Sequence, residues 1–200
     1  MDEPIVRVGA MYTRGKVFGG DKPSGLHCAI CDEQETCLES PANRRRNQTS
    51  GSHDDHTCLF SVDCGSPETG MNEDCSSAVF EFASGAHGVY SQVFFSRRDA
   101  AARGATVSGY HGTLNFDWQQ GTLRRVRHHN PFTTTERAST EGGHFGGDSE
   151  LAMDFLNLVR GSGSSRTSIE TGLQSIYTCL AAKTSAEEGR FVPVRMVGQV

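Results

Sequence analysis

"SSAVFEFASGAHGVYSQVFFS", residues 76–96, decides the fold. Ala78, Phe80 and Phe82 alternate with Val79 and Glu81, the two-residue period of a half-buried strand. "SGAHG" (84–88) reads as a turn, and beyond it Val89, Val93 and Phe95 share one face. Two such segments joined by a short turn predict a β-hairpin.

The β pattern continues downstream. "ATVSGYHG" (105–112), "TLNFDWQ" (113–119) and "TLRRVRH" (122–128) read as strands, with Leu114, Phe116 and Trp118 on one side of the second. Strands joined by short turns form antiparallel sheets, which can bury one face and leave the other for solvent or a partner. Upstream, Ile5 to Ala10 predicts a strand with Val6 and Val8 on one face. After a loop from His128 to Gly147, "DSELAMDFLNLVRG" (148–161) predicts a helix. Its N-cap is Asp148, its apolar stripe is Leu151, Phe155, Leu158 and Val159, and Gly161 stops it. A second helix opens on Thr167 and Glu170, a capping box, and runs to about Glu188. Its spacing predicts burial of Ile169, Leu173, Ile176, Tyr177 and Leu180, with Cys179 as a small core residue. "RFVPVRM" (190–196) reads as a last strand. The predicted class is α+β, an open-faced antiparallel sheet with helices on one face.

Residues 20–75 interrupt this order. They form a cysteine-rich segment with almost no periodic apolar pattern, "CLF" (58–60) being its one apolar island. Such a length without a core of its own calls for another tie. "HCAICDEQETC" (27–37) supplies a motif. Cys28-x2-Cys31 is the spacing with which two thiolates of one turn bind a tetrahedral ion, and Cys37 follows closely. Cys58 is the preferred fourth ligand, with Cys64, His53 and His56 as rivals. Structural zinc would supply folding energy directly. Reduced thiols in a packed turn, or a disulfide or redox pair, remain the alternatives. A redox C-x-x-C belongs at the start of a helix after a strand, and this one does not sit there.

Composition bounds the function classes. The net charge of −5 and a pI near 5.9 argue against a nucleic-acid partner gripped through its phosphates. Arg44-Arg45-Arg46 reads as part of a solvated loop. No apolar run approaches the ~20 residues of a spanning helix. The acidic start lacks the basic n-region of a signal peptide, so the expected location is the cytoplasm, where thiols stay reduced. No G-x-G-x-x-G after a strand, no phosphate-loop motif and no G-x-S-x-G occurs, and nothing local favours a Cys–His nucleophile pair. The glycine-rich "GGHFGGD" (142–148) precedes a helix, but Asp148 there repels an anion. His144 and Asp148 have two readings: a loop histidine and a cap, or hydrogen-bond partners of a substrate in a cleft.

Several segments in order resemble the C-terminal half of the glucose–fructose oxidoreductase / inositol dehydrogenase / MocA (Gfo/Idh/MocA) family. They are "CLF", "SSAVFEFASGAHGVYSQVFFS", "RGATVSGYHGTLNFD", "GGHFGGDSELAMDFLNLVRG" and "SIETGLQSIYTCLAAKTSAEEGRFVPV". The resemblance spans most of residues 1–20 and 56–195, and the cysteine-bearing segment resembles an insertion in one branch of the family. It implies one C-terminal domain over residues 1–200, carrying the cysteine-rich insertion at about 20–75. That domain would bind substrate and form a homo-oligomer through its sheet face. It would belong to an NAD(P)-dependent oxidoreductase acting on a sugar, polyol or related compound. The family's dinucleotide fingerprint, catalytic lysine and acid–base histidine have no counterpart here. The resemblance therefore implies a truncated chain whose own Rossmann domain lies elsewhere, with no catalytic residue in this part and no hydride transfer by itself. The reading from another class is a free-standing zinc-stabilised binding module without enzymatic activity.

Overall fold

The computed structural model describes residues 3–46, 56–64, 73–138, 146–165 and 167–198. The chain divides into two compact units, residues 1–98 with 169–200, and residues 99–168. The α+β antiparallel architecture is the one expected, but the strands pair in two four-stranded ladders.

In the first unit the order is β3–β2–β1–β8, made of β1 (Ile5–Thr13), β2 (Cys75–Phe82), β3 (His87–Val93) and β8 (Val192–Pro193). The hairpin read from residues 76–96 is β2–β3, with Val79 opposite Val89 and Ala78 opposite Tyr90. β1 pairs antiparallel with β2 through a bulge between Ile5 and Arg7. β8 covers only Arg7 and Val8 of β1. Two glycines lie under aromatic rings. A Cβ on Gly88 would fall 2.6 Å from the Phe80 ring, and one on Gly9 would fall 2.7 Å from Phe191.

Helix α3 (Ile169–Glu188) packs along β1. The core is Val8, Ala181 and Val194, with Ala10, Ala78, Phe80, Tyr177 and Ala182 packed around it. This corrects the predicted stripe. Ile169, Ile176 and Leu180 are exposed, and so is Cys179. Small side chains face the sheet instead, which lets the helix axis come close enough for Ser185, 1% exposed, to bond the strand. The Ala10 N–H donates to Ser185 Oγ at 2.8 Å, and Ser185 Oγ donates to the Arg190 carbonyl at 2.6 Å. Val6 and Val8 turn their backbone groups towards β8, and Ala10 follows the same alternation past the end of that two-residue strand. Ser185 thus satisfies an N–H that the missing strand leaves over. Gly189 at φ 66° then ends the helix.

A second polar residue, missed in the sequence, ties the other end. Asp74, 1% exposed, immediately precedes β2. Its carboxylate accepts N–H bonds from Lys16 (2.8 Å), Val17 (3.0 Å) and Phe18 (3.1 Å). Its own N–H donates to Thr13 and its carbonyl accepts from Phe94. Burial alone would push this carboxyl up. The three N–H donors outweigh that and hold it below the ordinary carboxylate value.

The second unit is a meander, order β4–β5–β6–β7: β4 (Gly104–Gly109), β5 (Gly112–Asp117), β6 (Thr122–Arg127) and β7 (Thr133–Arg137). β7 falls inside the expected loop. Its three consecutive threonines favour strand by β-branching, but no apolar alternation announces it. Helix α2 (Gly147–Val159) starts one residue before the predicted cap. Gly146, in the left-handed region at φ 85°, is the N-cap, and Asp148 lies in the first turn, where its charge complements the helix dipole. Gly161 stops the helix as expected, but the predicted stripe of α2 is not buried. Among the described residues no helix is long and apolar enough to cross a membrane.

Two outcomes are expected. Ser185→Ala leaves the Ala10 N–H and the Arg190 carbonyl without their partner. It should lower unfolding free energy by about 1–3 kcal/mol in urea melts. Asp74 has a depressed folded pKa, so its contribution is present above the unfolded value of ~3.9 and is lost as pH falls through the folded value. In urea melts below pH 4, the stability of Asp74→Asn should fall less steeply with acid than that of the unaltered chain, and at pH 7 the variant should be the less stable of the two.

Candidate functional site

The cysteine-rich segment is held by backbone pairing rather than by a core. Lys22 bridges Ser61 in parallel and His27 bridges Thr57 in antiparallel fashion. Around the second bridge the Cys28 N–H donates to His56 O (2.9 Å) and the Cys58 N–H to Leu26 O (2.7 Å). Gly19, at φ 90°, approaches the Cys64 carbonyl so closely that a Cβ would meet it at 2.4 Å. A 3₁₀ turn, Cys28–Ile30, follows the bridge and returns the Cys31 N–H to Cys28 O.

Downstream, Ser40 and Asn43 are buried. The Asn43 side-chain amide donates to the carbonyls of Glu35 (3.0 Å) and Cys37 (2.8 Å), and the Ser40 hydroxyl donates to Gln34 O. They brace α1 (Pro41–Arg46), a short helix opening on proline. The arginine run expected in a solvated loop is the end of this helix, where Arg46 donates to Asn43 Oδ1 and Glu35.

The burial of this segment is inverted. Cys28, Cys58, Cys64 and Ser61 are buried, whereas Ile30 and Leu38 are each 76% exposed. No disulfide links the cysteines. Cys28 Sγ lies 3.7 Å from both ring nitrogens of His56. His56 Nδ1 is 2.9 Å from Thr57 O, and since a carbonyl only accepts, Nδ1–H is the donor of that bond. Cys64 Sγ donates to the Cys58 carbonyl at 3.5 Å, and burial pushes its thiol up. Among the described residues, no three His, Cys, Asp or Glu side chains are grouped tightly enough to hold a metal ion. The expected set Cys28, Cys31, Cys37 and Cys58 is therefore not gathered. His56, a rival for the fourth ligand in the sequence, is the residue brought to Cys28, through the bridge at His27 that joins residues 28 apart.

Two other places matter. A groove of about 450 Å³ runs beside α3 on the helix side of the first sheet, with Phe80, Tyr12 and Ala182 in its walls and Tyr90 and Gln92 at one end. The opposite sheet face carries Met11, Val79, Val89 and Val93 in the open. Asp148 is exposed at the start of α2, and His144, the other expected substrate contact, lies outside the described residues.

No protein-family model matches the sequence, and no curated protein matches it. Solved structures do match, among them several oxidoreductases, and they share its fold. An oxidoreductase domain protein from Kribbella flavida has a TM-score of 0.65 at 15% identity, over 96% of this chain and 46% of that one. Levoglucosan dehydrogenase with NADH has a TM-score of 0.62 at 14% identity, over 97% and 46%. Aldose–aldose oxidoreductase from Caulobacter crescentus, complexed with glycerol, has a TM-score of 0.56 at 17% identity, over 96% and 42%. At these identities the likeness establishes the fold. The chain spans less than half the length of the structures it matches.

Proposed function

We propose that this chain is the C-terminal, substrate-binding and oligomerisation domain of an NAD(P)-dependent oxidoreductase acting on a sugar, polyol or related compound. The observation that carries the reading is the asymmetry of coverage. Nearly all of this chain lies on less than half of levoglucosan dehydrogenase, whose structures hold NADH with levoglucosan or with L-sorbose. The order of motifs in the sequence agrees with it.

The residues in hand do not fit a nicotinamide cofactor. Among the described residues no glycine-rich turn joins a strand to a helix N-terminus, so no step of hydride transfer is assigned to this chain. Its part is to bind and to assemble. His144 and Asp148, ahead of and within the first turn of α2, are the proposed hydrogen-bond partners of substrate hydroxyls. The open face with Met11, Val79, Val89 and Val93 is the proposed contact between copies, because an apolar face of that kind is costly to leave wet.

The test is NAD(P)-dependent turnover, assayed on a panel of aldoses and polyols for this chain and for the protein of its complete reading frame. The chain alone should be silent and the complete protein active. In the complete protein, His144→Ala and Asp148→Asn should each raise KM several-fold with a smaller change in kcat. A reading frame that closes upstream without a cofactor domain, or a complete protein that binds no NAD(P), overturns the proposal. In light scattering, Val89→Asp should reduce the mass to that of one 21.7 kDa copy.

A further inference from the structure

Only half of the first sheet's helix side is covered. α3 packs along β1 and β8, and among the described residues of this unit no second helix packs on β2 or β3. Neighbouring strands lie about 4.8 Å apart, whereas packed helices stand about 8–10 Å apart. One helix therefore covers about two strands, and the position beside α3 lies over β2 and β3. That position is the groove of about 450 Å³.

The alternation of the strands lays its floor. Ala78 and Phe80 of β2 and Tyr90 of β3 line it from below, and Tyr90 is left 49% exposed. The α3 wall is low. Cys179, Ala182 and Ala186 stand three and four residues apart along one side of the helix, and their small side chains let a second helix come close. Lys183 and Glu187, paired at 2.5 Å and exposed, form the outer rim. The slot is apolar at depth and polar at its lip, which is the shape an amphipathic helix fills.

The start of the chain selects the occupant. Ile5, the first residue of β1, lines the groove. Just before it, the Pro4 carbonyl accepts the Ala83 N–H at 3.1 Å, and the Glu3 carboxylate accepts the N–H and the hydroxyl of Ser84, each at 2.8 Å. A segment leading into Glu3 therefore arrives at the β2–β3 turn, at one end of the groove. From Ile5 to Tyr12 the groove runs about 23 Å, the length of about 15 helical residues. A second copy is the poorer occupant, because a twofold axis would bring two concave slots together and leave a void between them.

We propose that an amphipathic helix of about 15 residues, from the chain immediately upstream of residue 1, lies in this groove antiparallel to β1 and completes the helix layer. This rests on the reading of the chain as the C-terminal part of a longer protein, since it spans less than half of the structures it matches. The apolar stripe of the helix meets Phe80, Tyr90 and Ala182, its polar side lies beside Lys183 and Glu187, and its C-terminal end delivers the chain to β1.

The protein of the complete reading frame gives the test. With the photo-crosslinker benzoylphenylalanine in place of Tyr90, irradiation should join residue 90 to the segment just before residue 1 of the same polypeptide, as read by mass spectrometry. Cys179, exposed in this chain, should resist maleimide in the native complete protein and react once urea unfolds it. Crosslinks confined to residues 1–200 or to a second copy overturn the proposal. So does a native Cys179 that reacts as fast as the unfolded one, or an upstream segment without apolar residues at helical spacing. NAD(P) binding, measured in parallel, separates the two readings. A complete protein that binds NAD(P) without the upstream crosslink removes only the helix, and one with the crosslink but without NAD(P) binding keeps the helix and removes the oxidoreductase reading. A reading frame that begins at residue 1 overturns both.

Discussion

The bond from the Ala10 N–H to Ser185 Oγ is the constraint around which the first unit is arranged. It works only if α3 lies close to β1, and that closeness demands small residues along the contact. Ala181 and Ala182 supply them, while Val8 and Val194 fill the remaining space. Because Ser185 also donates to Arg190 O, the same hydroxyl fixes where the chain leaves the helix and enters β8. Strand, helix end and final strand are joined at one oxygen, and no large apolar side chain could stand in for it.

Asp74 has the corresponding role at the other end of β1. A buried carboxylate is costly by itself, and three convergent N–H donors offset that cost. The consequence for organisation is that the loop leaving β1 is closed before the cysteine-rich segment begins. That segment then folds on its own terms, with backbone bridges for walls and sulfur for filling. It nevertheless belongs to the same compact unit as the α3–sheet core, and the ion pair from Arg97 to Glu39 ties it to the chain beyond β3.

The alternation in residues 76–96 made the hairpin legible, since periodicity along one segment is local information. The helices were legible in extent but not in orientation. The spacing of Ile169, Leu173, Ile176, Tyr177 and Leu180 marked an apolar stripe on α3, yet of these only Tyr177 packs on the core, beside Ala181 and Ser185, because closeness of approach outweighed side-chain area. β7 was hidden because threonines carry strand preference without an apolar signature. Asp148 was read as the cap because acidic residues favour that position, but Gly146 can adopt the left-handed conformation and takes it. As for the candidate site, spacing alone found Cys28 and Cys31. The pairing of Cys28 with His56 depends on one antiparallel bridge between distant segments, and Asp74 was a polar residue in a polar stretch. Neither carries a local signal.

The brevity of β8 has a further consequence. A sheet edge normally offers a row of unused N–H and C=O groups on which another strand can build. On this side the outermost strand has two residues, one of them Pro193, which has no N–H to offer. Beyond it the edge passes to a helix through Ser185. Strand addition is therefore blocked on that flank, and a copy of the chain approaching from there finds no template to extend. The sheet grows no wider in that direction, which protects an otherwise open-faced layer from running on into a fibre.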